Sequence, residues 1–297
     1  MPPRPRPPKR TPRSVVWRRR LVAVGVLVAA FAIAWVAVAS VGGKDKTPPP
    51  PTVAAPPKPF RIVFPEGFTR QQMGARVTAV AQIAKRERGK RVRLTQRAYL
   101  AATARPRRQP GFGTKAYPLE GFLFPATYDF TARETSPRLV AAQLKAFRAN
   151  WAKLNLAYAR SKNLTPYDVL IIASLIEKET PAPEERQLVS AVIYNRLHAR
   201  MNLGIDATTR YGLHVPPTES LTQSELESDN PYNTRNPLIK GLTPTPIANP
   251  GLASMQAAAH PAKVNYLFFV RKPDNRHHFF TASETEFQNY ANAHGFG

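Results

Sequence analysis

The chain has 297 residues, enough for one large domain or two small ones. It holds no cysteine, which excludes a disulfide framework, a thiolate metal site and a cysteine nucleophile. Its formal net charge of +24 is unevenly placed: residues 1–20 carry +8, 21–60 carry +2, 61–118 carry +12 and 119–297 only +2.

A basic amino-terminal half admits nucleic acid, anionic lipid or an anionic cell wall as partner, and the next segments discriminate among them. Residues 1–20 are rich in Pro and Arg without apolar periodicity, the signature of a disordered tail. Leu21 to Gly43 has no charged residue, and about 20 apolar residues span a bilayer. Eight bases precede this run and only Lys44 and Lys46 closely follow it. The positive-inside rule then puts the amino terminus in the cytoplasm and residues 44–297 outside. Ala37-Val38-Ala39 offers a signal-cleavage pattern as the alternative. The run exceeds the usual h-region of ~7–15 residues, which favours an uncleaved single-pass anchor. Either way the globular part is exported, which argues against nucleic acid. Lys44 to Pro59 is a Pro-rich spacer that reaches up to ~50 Å when extended.

Phe60 to Phe64 alternates as a strand, and Pro65-Glu66-Gly67 is a turn. Thr69 opens a helix whose apolar stripe is Met73, Val77, Val80, Ile83 and Ala84. Gly89 breaks it, and Thr95 caps a second helix carrying Ala98, Tyr99 and Ala102. This is a small basic α/β module, either a surface for an anionic polymer or a plain solvated face. A basic connector, Arg105 to Lys115, leads to the aromatic-dense stretch Tyr117 to Phe130, a strand or loop packed on the core. Glu120 is an acid inside this stretch. A buried acid needs a partner, so it is a structural acceptor or part of a site. Thr135 to Ala159 reads as one long amphipathic helix with Leu139, Val140, Leu144, Phe147, Trp151 and Leu154 as its stripe.

Thr165 to Pro181 organises the rest. Thr165 is an N-cap, Pro166 suits the first helical position and Asp168 completes a capping box. Val169 to Ile176 is apolar except for Ser174, so the helix is buried nearly all round. It delivers a carboxylate, Glu177, to the edge of the core. Partial desolvation raises a carboxyl toward the range a general acid needs; the alternative is a solvated helix end. Ala182 to Arg200 is a further helix ending in Tyr194, Asn195 and Arg196. Asp206 follows beside Thr208 and Thr209. Val215 to Gly251 is rich in Pro, Asn and Thr and lacks apolar runs, and so long an irregular stretch is usually functional. Its amide, hydroxyl and Tyr side chains suit carbohydrate, or are turn residues only. A short helix, a hairpin of Tyr266–Val270 and His277–Phe280, and a closing helix from Ser283 to Ala293 complete the chain. Adjacent histidines on a strand face opposite sides, so no metal is assigned.

Eight stretches, in order, resemble the endolytic murein transglycosylases, the YceG-like family: residues 119–128, 173–180, 192–197, 203–212, 232–234, 240–251, 257–270 and 277–280. They cover most of residues 119–297, and 60–118 is similar to the family's LysM-like subdomain. The resemblance implies an α+β protein with a single transmembrane helix (21–43), a LysM-like module (60–118) and a catalytic domain (119–297). It implies lytic cleavage of nascent peptidoglycan between N-acetylmuramic acid and N-acetylglucosamine, leaving 1,6-anhydromuramoyl ends. No cofactor is implied. The expected partners are glycan strands, the cytoplasmic membrane, and glycan polymerases or penicillin-binding proteins.

The family's acid lies in its Glu-Lys-Glu motif and matches Glu177. Glu179 competes, but Glu177 follows the apolar run directly and is expected to be the better desolvated. Asp206, Tyr194, Asn195, Asn233 and Thr234 are the candidates for holding sugars, with Glu120 orienting one of them. Three departures put loop geometry in question: Ala207 stands where the family has Pro, Arg235 where it has Tyr, and Gly241-Leu242-Thr243-Pro244 replaces a Gly-Leu-Pro-Pro run. A cell-wall-binding scaffold and a hydrolytic muramidase using Asp206 as second acid are the rival readings.

Overall fold

The computed structural model describes residues 59–295, together with Gly25, Ala29, Ala30, Ala32 and Trp35, which are helical. The chain divides into two units, Met1–Pro57 and Lys58–Gly297. Among the described residues no helix is long and apolar enough to cross a membrane. The expected span over Leu21–Gly43, the tail before it and the spacer after it lie largely outside the described residues.

The second unit is a mixed α+β fold of helices and small two-stranded antiparallel sheets. β1 (Phe60–Val63) leads through the Pro65–Phe68 turn into α1 (Arg70–Arg88). Thr69 caps α1 in a capping box with Gln72, and Gly89 ends it in the left-handed conformation. Met73 and Val77 are buried as their spacing requires, but Ile83 is exposed, so the stripe fades toward the basic last turn. α2 (Gln96–Ala104) follows its Thr95 cap, then β2 (Arg107–Arg108) and β3 (Ala116–Tyr117) pair briefly.

β4 (Thr127–Phe130) returns to β1, with Phe60 opposite Phe130 and Ile62 opposite Tyr128. This sheet crosses the boundary expected near residue 118. The Tyr99 hydroxyl of α2 also donates to Gln143 Oε1 at 2.8 Å in the buried interior. The basic segment and the following residues therefore share one core.

α3 (Ser136–Trp151) stops earlier than the periodicity suggests. Asn155 Oδ1 accepts the Ala157 N–H at 2.9 Å, so a local side-chain bond starts the short α4 (Ala157–Ser161) instead of letting one helix continue. Phe112, Phe122, Phe147 and Trp151 cluster with ring centroids as close as 4.8 Å.

At the centre lies α5 (Pro166–Glu179), with Tyr167 and every residue from Val169 to Ile176 buried. Each large apolar side chain there contributes roughly 1.5–3 kcal/mol. A 3₁₀ turn (Pro183–Glu185) precedes α6 (Arg186–His198), and then come α7 (Asp206–Leu213) and the single turn α8 (Gln223–Leu226). The rest of 215–251 is irregular, as expected. α9 (Leu252–Ala259) packs on α5. β5 (Phe268–Arg271) and β6 (His278–Thr281) form the terminal hairpin, closed by α10 (Glu284–Ala293) with Ser283 as its cap.

Candidate functional site

The Thr165 capping box forms: its hydroxyl accepts the Asp168 N–H at 3.2 Å and Asp168 Oδ2 accepts the Thr165 N–H at 2.8 Å. α5 thus starts at a fixed residue and carries Glu177 in its last turn, at the core's edge. Glu177 is half-buried, and its Oε2 accepts the backbone N–H of Gly251 at 3.0 Å. Gly251 is the N-cap of α9, so the positive end of that helix lies at the carboxylate. The loop leading to Gly251 is held to α5 by the Ile247 N–H, which donates to the Ser174 hydroxyl at 3.0 Å. Gly121, at φ +88°, lets the loop approach: a Cβ there would lie 2.6 Å from Pro246.

Asn249, fully buried, is the node of this loop. Its backbone exchanges hydrogen bonds with the turn after β1: the Gly67 N–H donates to Asn249 O, and the Asn249 N–H to Phe68 O, both at 3.0 Å. Its side chain donates to Phe68 O (2.9 Å) and Glu120 Oε1 (2.7 Å) and accepts the Leu123 N–H (2.9 Å). The turn is thereby laid beside Glu177. A Cβ on Gly67 would lie 3.4 Å from Glu177 Cγ, and one on Gly251 would lie 1.9 Å from Glu66 Oε1. Glu66 and Glu177 thus flank Gly251. Partial burial pushes the Glu66 carboxyl up, the Glu177 charge adds to this, and Arg186 opposes it. Arg186 is held by Ser254 of α9 at 3.2 Å.

Glu120 is buried and accepts from the Arg70 N–H (2.9 Å), the Asn249 amide and the Tyr211 hydroxyl (3.2 Å). Burial pushes it up to about 7 against these bonds. It ties the start of α1 to α7 and to the 249 loop.

Glu179 sits two residues beyond Glu177, about 200° around the helix, and meets different neighbours. Burial first, and then the Asp206 charge, push it up to about 7, with Arg271, Arg235 and Lys178 opposing. Both glutamates are half-buried. The expectation that Glu177 is the better desolvated is not met, because burial acts on the Glu179 carboxyl, with the Asp206 charge adding to it. Arg235 is tied to Asp206.

The remaining sugar-binding candidates are not brought to Glu177. Tyr194 donates to Ala258 O at 2.8 Å, and Asn195 to Val264 O and Tyr266 O at 3.0 and 2.8 Å. They line a cavity of about 910 Å³ with Tyr158 and Tyr167, near the start of α5 and roughly 15 Å along the helix from Glu177. Asn233 and Thr234 are essentially inaccessible. The Asn233 amide donates to Leu226 O and Ser228 O and accepts from Thr209, while the Thr234 hydroxyl accepts the Ile205 N–H. Their polar groups build the loop and are not offered to a ligand.

Glu66, Arg186 and Gly251 were not singled out by the sequence reading. The Pro-Glu-Gly turn and the Asn-Pro-Gly end of the long loop held the signal, but nothing local pairs them. Among the described residues no group of three or more His, Cys, Asp or Glu is placed to hold a metal ion. His278 is buried on Glu185 (Nδ1 to Oε2 2.7 Å), while His277 is half-buried and meets Asp274 and Glu184.

The chain is 38% identical over 159 residues to the endolytic murein transglycosylase of Bacillus subtilis, a match covering 52% of this chain and 42% of that protein. It is 36% identical over 161 residues to the protein of that name from Streptococcus pneumoniae, covering 52% and 28%. These matches thus span less than half of either relative. The crystal structure of a YceG-like protein from Listeria monocytogenes superposes with a TM-score of 0.62 at 29% identity, covering 78% of this chain and 76% of that one. The profile of the YceG-like family matches residues 51–293, which takes in the Glu66 turn, Glu177 and the Gly251 loop together. By that match, the chain belongs to the YceG-like family.

Proposed function

We propose that the protein is an endolytic lytic transglycosylase that cleaves peptidoglycan glycan strands between N-acetylmuramic acid and N-acetylglucosamine, with Glu177 as its acid and base. The observation that carries this reading is Glu177 itself. It ends a helix buried on all sides, with one carboxylate oxygen on the Gly251 N–H, in a chain whose relatives bear that activity's name. A protonated Glu177 gives its proton to the glycosidic oxygen as the bond from C1 breaks. The C6 hydroxyl of the same muramoyl residue then adds to C1, and its proton returns to Glu177. The product is a 1,6-anhydro end, and no water is consumed. Because the attacking hydroxyl is already on the substrate, proximity supplies much of the rate. Asp206 is engaged by Arg235, which speaks against its use as the water-activating acid of a hydrolase.

The finer architecture belongs to the same proposal. Leu21–Gly43 anchors the chain in the cytoplasmic membrane, the basic segment 60–118 acts as a LysM-like module facing the wall, and the Pro-rich spacer sets its height. An anchored enzyme is held near membrane-bound glycan polymerases at high effective concentration.

The test is mass spectrometry of uncrosslinked glycan strands digested by the full-length chain, with Glu177→Gln and Glu179→Gln in parallel. Anhydro ends are expected from the wild type, reduced about 10²–10⁴-fold in Glu177→Gln. Reducing ends indicate a hydrolase. Full activity in Glu177→Gln with loss in Glu179→Gln moves the acid to Glu179. Binding without cleavage favours a scaffold.

A further inference from the structure

Glu66 precedes Glu177 by more than a hundred residues in the chain, yet the fold sets the two carboxylates on either side of one glycine. Gly251 Cα and N, the 3.0 Å bond to Glu177 Oε2 and the 1.9 Å approach of Glu66 Oε1 to the Cβ position place the two oxygens at most about 8 Å apart. Paired carboxylates that act across a glycosidic bond stand roughly 5–9.5 Å apart. Glu66 is open to solvent, so a polymer can reach it. The other acids near the site are committed: Glu120 is buried and accepts three donors, Asp206 pairs with Arg235, and Glu179 faces α7. The position of Glu66 is built in, because the Asn249 backbone and side chain fix Gly67 and Phe68.

Resting on the proposed function, we infer that Glu66 is a second carboxylate of the cleavage site, facing the muramoyl ring and stabilising the positive charge that develops at its anomeric carbon. The basic amino-terminal segment then contributes a catalytic group. Glu66 exchanges no proton and forms no bond. Its charge acts only while C1 is cationic, so it lowers the barrier more than it strengthens binding.

The experiment measures anhydro-end formation by the full-length wild type, Glu66→Gln and Glu66→Asp on uncrosslinked glycan strands. Glu66→Gln is expected to lose 10- to 100-fold in kcat with KM within threefold and an unchanged Tm. Glu66→Asp, which keeps the charge, retains more turnover. Burial raises the Glu66 carboxyl, and turnover needs its ionised form beside a protonated Glu177, so kcat/KM carries an acidic limb that Glu66→Gln weakens. The inference is overturned if the wild type makes anhydro ends and Glu66→Gln keeps kcat within twofold, if only KM changes, or if Glu66→Asp is the poorer of the two. Reducing ends that vanish in Glu66→Gln support the paired carboxylates while refuting the transglycosylase reading. No product from the wild type overturns both.

Discussion

Replacing Gly251 by Ala tests the geometry of the site with one carbon atom. Gly251 has φ −75° and ψ 172°, which Ala adopts without strain, so the backbone N–H to Glu177 stays in place. The new Cβ falls 1.9 Å from Glu66 Oε1 and 2.1 Å from its Cδ. Normal contact needs about 3.5 Å, so the Glu66 carboxyl must move roughly 1.5 Å or more. That carboxyl is the end of a flexible, exposed side chain, and it rotates away at little cost. Ala is a poorer N-cap than Gly, so the stability loss is up to about 1 kcal/mol, or a Tm drop of about 2–4 °C. Misplacing a catalytic group by ~1 Å costs as much as 100-fold in rate, equivalent to about 2.7 kcal/mol of barrier. Steady-state release of anhydro ends by Gly251→Ala is therefore expected to fall by 10- to 100-fold with the fold intact by thermal melt. In a Glu66→Gln background the same substitution adds little, since the displaced group is already neutral. A Gly251→Ala variant with wild-type kcat, or full additivity of the two changes, would falsify the placement of Glu66 at the reaction.

Two further outcomes follow from the polar node beneath the site. Glu120 titrates near 7 in the fold against an ordinary 4.5, so the folded state holds its proton more tightly than the unfolded chain. Its contribution is fully present below pH 4.5 and is lost as pH rises through 7, by roughly 3 kcal/mol in all. Glu120→Gln, which cannot ionise, should flatten that part of the stability-versus-pH curve measured by urea unfolding; an unchanged slope there refutes the assignment. Asn249→Ala leaves the Leu123 N–H without its acceptor and removes both side-chain bonds to Phe68 and Glu120. A loss of about 3 kcal/mol is expected by chemical denaturation, with activity lost in parallel as the Glu66 turn loosens. A stable Asn249→Ala variant with full activity counts against the turn being held by this residue.

Much of the architecture is local, and the sequence by itself determined it. The Thr165–Asp168 box, the Thr69 and Thr95 caps and the Gly89 stop rest on bonds or backbone conformations within a few residues. Glu177 at the end of a buried helix was legible for the same reason. The early end of α3 was missed because an Asn155 bond to Ala157 competes with a stripe that the periodicity alone would continue.

What only the tertiary structure decided is which polar groups remain for a ligand. Asn233, Thr234, Tyr194 and Asn195 have side chains fit for sugars, but folding puts donors and acceptors of the chain itself opposite them. A polar side chain satisfied internally has little left to offer. Glu66 is the converse. Its turn looks unremarkable in sequence, and only the pairing of β1 with β4 and the Asn249 contacts bring it to Glu177. Contacts between residues far apart in the chain leave no periodic trace, so the fold had to place them.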